Sequence, residues 1–156
     1  MARWNKGSDV IERLRDARHL ERVPADADTV TALIASARRH VTSASTTAAD
    51  DPEGAFALAY DAARKTATAL LAHQGLRPTS AGGHIVIVEA ISAQFPGIAG
   101  LKSIDRLRRR RNQAEYPDRR NYDPVATDEV QDAIETAEAC LGAAERLVAA
   151  PQLGIF

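Results

Sequence analysis

Apolar residues recur every three or four positions along most of this chain, the spacing that keeps one face of an α-helix against a core. Ser8 is placed to cap a first short helix running through about Val23, with Asp9 and Glu12 near its positive end and Pro24 to break it. A second helix begins near Asp28, and Val30, Leu33, Ile34, Ala37 and Val41 mark its apolar face. Thr42 to Gly54 is rich in Ser, Thr, Ala and Asp and reads as a mobile connection. Asp51-Pro52-Glu53 then opens a third helix, with a capping carboxylate, Pro at the first helical position and an acid behind it. That helix runs to about Gln74, with Phe56, Ala59, Tyr60, Ala63, Ala67, Leu70 and Leu71 on its apolar side. Gly75 supplies a left-handed cap beyond it.

A fourth helix follows Gly82-Gly83 and ends at Phe95-Pro96. Its run Ile85-Val86-Ile87-Val88 would also suit a strand. Val88, Ile91 and Phe95 continue the apolar positions at spacings of three and four, which favours helix. The fifth helix spans roughly Leu101 to Glu115 and the sixth Ala126 to Ala149. In the sixth, Val130, Ile134, Ala137, Leu141, Ala144 and Val148 form the seam of near-parallel bundle packing. The pattern predicts an all-α, single-domain bundle of five to six helices. Residues 1–27 form a short helix and connection, 28–149 the bundle, and 150–156 a tail.

Composition narrows this picture. The chain of 156 residues is long enough to bury a core without disulfides or metal. Aromatics are only 4%, so Ala, Leu, Val and Ile must fill that core, which suits close-packed helices. No apolar run approaches membrane-spanning length and no apolar leader opens the chain, so a cytoplasmic protein is expected. The single Cys140 fits a reducing compartment and reads as helix packing.

The net charge of −1 exerts no global pull on nucleic acid, yet its distribution is uneven. Arg106 and Arg108 to Arg111 lie almost consecutively, with Arg119 and Arg120 beyond. On a helical wheel Ile104, Leu107, Arg108, Arg111, Ala114 and Glu115 share one stripe. Asp105, Arg106, Arg109, Arg110 and Gln113 fall mainly on the other side. Arg111 therefore points along the face that begins as core, where a charge needs a partner. Glu115, four residues on, is placed to supply one. Pro117 pushes Tyr116 out of helical geometry, so its ring can turn back toward Arg111 and Asn112.

The stretch Arg111-Asn112-Gln113-Ala114-Glu115-Tyr116 resembles the motif of the HEPN superfamily, helical bundles of prokaryotic toxin–antitoxin and defence systems. That motif is Arg, four to six residues of which the first is commonly Asn, then His, at a helix end; here Tyr116 stands in the His position. Ala62-Ala63-Arg64-Lys65, Leu70-Leu71, Gly75-Leu76-Arg77 and Gly82-Gly83-His84 are also similar to an actinobacterial HEPN subgroup with a Tyr-ending motif. The resemblance covers roughly Asp28 to Ala149. It implies a dimer with two motifs facing across the interface. In members with the full motif it implies metal-independent RNA cleavage, Arg stabilising the scissile phosphate and His moving protons. A phenol, with an ordinary pKa of about 10, is a poor general base at neutral pH. Phosphate or base binding survives that replacement better than cleavage does.

Arg111, Tyr116 and His84 are thus the candidates for chemistry, His84 as a replacement for the missing His. Arg108, Arg109, Arg110 and Asn112 are candidates for contacting nucleic acid, and Glu115 is the structural partner. Each has a plainer alternative: a buried Arg111–Glu115 ion pair, a solvated arginine face without interleaved aromatics, a Tyr116 packed in core or interface. His19, His40 and His73 lack ligand spacing, so no metal and no cofactor is expected. The expectation is a homodimer that binds RNA or a nucleotide. It would be the toxin of a toxin–antitoxin or defence pair, partnered by an antitoxin or nucleotidyltransferase. An endoribonuclease and a non-catalytic protein-interaction module are the alternatives.

Overall fold

The computed structural model describes residues 3–116, 118, 120 and 122–156. Pro117 and Arg119, read above as a helix breaker and part of the basic run, lie outside the described residues. The element order is α1 (Ser8–Asp16), β1 (Leu20–Arg22), α2 (Ala27–Thr47), α3 (Pro52–His73), β2 (Leu76–Pro78), α4 (Gly83–Gln94), a 3-10 turn at Leu101–Ser103, α5 (Ile104–Glu115) and α6 (Thr127–Ala149).

The centre of the bundle is α3, which packs against α2, α6, α5 and α4. Its start is fixed as its sequence requires: the Asp51 carboxylate accepts from the Gly54 N–H at 2.9 Å and Pro52 takes the first turn. Ala55, Ala59, Ala62, Ala63, Ala67 and Ala69 are all buried along it. These short side chains let neighbouring helices come close, and Leu70, Leu71, Phe56 and Tyr60 fill what remains. The buried seam of α6, including Val130, Ile134, Ala137, Cys140 and Ala144, meets this row. Burial pushes the Cys140 thiol up to about 12, so it stays protonated as a packing group.

Three expectations need correction. The first helix stops at Asp16, because Arg18 adopts φ 60° and turns the chain into β1, which pairs antiparallel with β2 (Leu20 opposite Pro78). Its N-cap is Gly7 at φ 75°, with no side-chain cap from Ser8. The segment Thr42–Gly54 is not a mobile connection through its first half, since α2 runs to Thr47. The hydroxyls of Thr42, Ser45, Thr46 and Thr47 donate to carbonyls four residues earlier, at 3.0–3.2 Å. Polar side chains that suggest a loop are thus satisfied within the helix, while Ala44 is buried. By contrast Ile85–Val88 lies in helix α4, as its longer periodicity requires.

Both ends of the chain join the same core. Ile11, Leu14 and Leu20 pack in it with Leu153. Trp4 N–H donates to Ile155 O at 3.0 Å and Phe156 N–H to Gln74 O at 3.2 Å. The buried Gln74 amide donates to Gln94 at 2.6 Å, tying the end of α3 to the end of α4. Among the described residues no helix is long and apolar enough to cross a membrane.

Candidate functional site

Ile104 and Leu107 are buried and anchor the first half of α5. The arginines that follow divide by what lies beside them. Arg106 reaches Asp132 of α6 at 2.7 Å. Arg110 Nε donates to Glu129 Oε1 at 2.8 Å and its Nη2 to the Asp123 carbonyl at 3.1 Å. Glu129 in turn accepts from the Ala126 N–H at 2.9 Å, closing the first turn of α6. Arg110 is therefore a clasp between α5 and α6, its side chain only 14% exposed. The helical wheel placed it on the solvated side because a wheel shows one helix and not the carboxylate 19 residues on. Arg109 is 74% exposed and, among the described residues, pairs with Asp105 alone, at 2.7 Å.

Arg108 and Arg111 turn the other way, toward α3. Arg108 meets Asp105 at 2.9 Å. Arg111, 28% exposed, meets Glu115 Oε2 at 2.7 Å, and its Nη1 donates to Asn112 Oδ1 at 3.2 Å. Its guanidinium lies 5.8 Å from the centre of the Tyr60 ring, in cation–π range. Tyr60 is buried, and its hydroxyl is 2.9 Å from Nδ1 of His84 at the start of α4. One turn further along α3, Arg64 Nε donates to Asp61 at 3.0 Å and Lys65 donates to the same carboxylate at 2.6 Å. His40 Nδ1 of α2 stands 2.9 Å from Asp61 Oδ2.

This juxtaposition sets protonation. Burial raises the Tyr60 phenol, against the pull of Arg64, Arg111 and Arg108. Partial desolvation lowers His84, an exposed residue whose Nδ1 faces the buried Tyr60 hydroxyl, and the same three arginines lower it further. Burial also works against the Asp61 carboxylate, but hydrogen bonds from Lys65 and Arg64 outweigh it and hold Asp61 below its usual value. At neutral pH the centre holds a neutral phenol and a neutral imidazole ringed by guanidiniums. Arg64, Lys65, Arg108 and Arg111 outnumber Asp61, Asp105 and Glu115, so the surroundings are net positive.

A pH dependence follows. His84 is lowered from 6.5, so the unfolded chain takes up its proton first and stability should decline as pH falls below about 6.5. Asp61, lowered from 3.8, adds a second decline as pH falls below about 4. Urea midpoints measured between pH 8 and 3 should fall in those two windows. A midpoint that stays flat from pH 7.5 to 5 would show that His84 is not held neutral.

Tyr116 departs from its expected position. Its N–H donates to Asn112 O at 3.1 Å, ending α5, but its ring is 75% exposed and does not close over Arg111. The aromatic ring beside Arg111 is that of Tyr60. The structure thus brings together Arg108, Arg111, Asn112, Glu115 and His84, and leaves Arg109, Arg110 and Tyr116 outside. Sequence reasoning missed Tyr60, Asp61 and Arg64 as site residues. The available signal was Arg64 one helical turn after Tyr60, with Asp61 four residues before Lys65.

A cleft of about 260 Å³ between the start of α3 and the end of α5 opens beside Arg111, lined also by Glu53, Phe56, Ala114 and Glu115. A larger groove of about 890 Å³, lined by Val23, Leu33 and Leu76 among others, shares no residue with this cluster. Among the described residues no three His, Cys, Asp or Glu side chains gather as a metal site. The family model of the HEPN domain matches residues 30–147. No curated protein and no solved structure matches the chain.

Proposed function

The chain belongs to the HEPN domain family, and from that premise we propose that it binds RNA or a nucleotide by its phosphate at the cluster of Arg64, Arg108 and Arg111. One observation carries the reading: the half-buried Arg111 guanidinium lies 5.8 Å from the Tyr60 ring whose hydroxyl holds His84, and Arg64 and Arg108 add positive potential at both rings. Guanidinium forks match phosphate oxygens, and partial burial makes their charge count for more than on an open surface. Asn112 adds an amide beside Arg111. The protein acts as a homodimer, with the two Arg111 sites in a shared cleft. Its role is that of the toxin in a toxin–antitoxin or defence pair, and an antitoxin or nucleotidyltransferase is its partner.

A second reading is RNA cleavage with His84 in place of the missing motif His. It is favoured by one observation, that His84 and Arg111 flank the same phenol. If neither binding nor cleavage is found, the bundle is a non-catalytic protein-interaction module.

The test is fluorescence anisotropy with a short single-stranded RNA across a salt series. Three phosphate contacts predict a log–log slope of about −2, at roughly 0.7 per neutralised phosphate. Arg109→Ala, an exposed neighbour, should flatten the slope by less than one contact. Light scattering in parallel should give the mass of a dimer at micromolar concentration. An RNA affinity absent even at low salt would defeat the phosphate reading, and a monomer throughout would defeat the shared cleft.

A further inference from the structure

Tyr60 is 2% exposed, and His84 Nδ1 at 2.9 Å is the one hydrogen-bond partner of its hydroxyl among the described residues. A buried phenol that keeps its proton has to give that proton to an acceptor. If Nδ1 itself carried a proton, the phenol hydrogen would be left in the interior with nothing to receive it. Nδ1 must then be the acceptor, and in a neutral imidazole that places the ring proton on Nε2. His84 is exposed at the first turn of α4, and its Nε2 has no hydrogen-bond partner among the described residues. Arg111 lies against the face of the same phenol ring whose hydroxyl holds the imidazole.

We infer that Tyr60 is a positioning residue that fixes His84 as a neutral Nε2–H donor, aimed at a phosphate oxygen held at the Arg111 site. The identity of that acceptor rests on the phosphate-binding reading above; the hydrogen-bond assignment does not. A direct consequence is that Nε2, already protonated, takes no proton from a ribose 2′-hydroxyl. The site then grips phosphate with neutral and cationic donors together and does not cut RNA through His84.

The test is long-range ¹H–¹⁵N NMR of the full chain with labelled histidine, at pH 7.5 without ligand. The expected result is His84 with Nε2 protonated and Nδ1 bare, and a slowly exchanging Tyr60 hydroxyl proton correlated with Nδ1. Tyr60→Phe, which keeps the buried ring, should lose that proton, populate the Nδ1–H form and bind a short RNA several-fold more weakly. His84→Gln, with an amide N–H near the Nε2 position, should keep most of the affinity that His84→Ala loses. Titration with the RNA and separately with inorganic phosphate identifies the acceptor. An Nε2 shift with both marks free phosphate as sufficient, and a shift with RNA alone assigns the contact to an RNA phosphate.

A ligand-free His84 in the Nδ1–H form overturns the inference whatever RNA does, as does a Tyr60→Phe affinity equal to wild type. An Nε2–H tautomer with neither ring nitrogen responding to RNA or phosphate overturns the phosphate reading and leaves the Tyr60 assignment standing. Should Tyr60→Phe fail to fold by circular dichroism, the wild-type tautomer and hydroxyl proton decide alone.

Discussion

Gly100→Ala is expected to cost about 2–5 kcal/mol of stability, from a strained backbone and a blocked Cβ together. Gly100 sits at φ 87° and ψ −63°, a region that L residues rarely enter. A Cβ there would stand 2.9 Å from the Cys140 backbone nitrogen and 3.0 Å from Ala139 Cβ. These are atoms of α6 and its first side-chain carbon, which have no rotamer to yield. The strain must be taken up by the 3-10 turn Leu101–Ser103, and through it by α5 and Arg111. For a chain of this length the melting temperature should fall by roughly 4–20 °C, at about 2–4 °C per kcal/mol. Gly97→Ala is the control, since a Cβ there meets nothing within 4 Å and the backbone is not left-handed. It should be neutral or gain up to about 1 kcal/mol from a less flexible unfolded chain. A Gly100→Ala midpoint within error of wild type in urea would show that α6 and the turn are not in register as described.

That dependence of the site on one glycine marks the limit of what periodicity alone reveals. The α6 seam was legible because Val130, Ile134, Ala137 and Ala144 are buried at steps of four, three and seven along one face. The end of α2 was not, because a threonine in a loop and a threonine donating to the carbonyl one turn back look alike in one dimension. The two strands have three residues each and are held by pairing between segments more than fifty residues apart. No local pattern encodes them. Within the site, Tyr60 was correctly placed on the buried side of α3. Its meeting with His84, 24 residues later, depends on how α4 leans on α3. The half-buried position of Arg111 and its pairing with Glu115 were legible from the helical wheel, whereas the surroundings of Arg110 were not, because they are made by Glu129. Tyr116 was expected to fold inward from the turn chemistry at its own position, and nothing in that chemistry fixes where a ring points after a helix ends.

The neighbouring arginines of α5 should separate function from fold. Arg111→Ala is expected to lower RNA affinity about 10- to 100-fold, the loss of one charge-assisted contact of roughly 1.5–3 kcal/mol. Its effect on stability should be small. Glu115 is 45% exposed and free to turn to water, and an i,i+4 pair on a helix surface contributes only about 0.3–0.5 kcal/mol. Arg110→Ala should do the reverse. Its side chain is 14% exposed and makes two bonds to Glu129 and one to the Asp123 carbonyl. Removing it leaves a carboxylate beside the first turn of α6 without its cation, at a cost of about 1.5–3 kcal/mol. RNA affinity at a temperature where the variant is fully folded should then stay within about threefold of wild type, since Arg110 faces away from Tyr60. Urea denaturation and RNA anisotropy on both variants give four numbers, and the expectation is a crossed pattern. If Arg110→Ala weakens RNA binding as much as Arg111→Ala does, at matched folding, the ligand runs along the outer arginine face. The Tyr60–His84 centre is then not where phosphate is held. If Arg111→Ala instead unfolds the chain and leaves RNA affinity unchanged in the folded fraction, Arg111 is an ion-pair strut and the phosphate site has to be sought elsewhere.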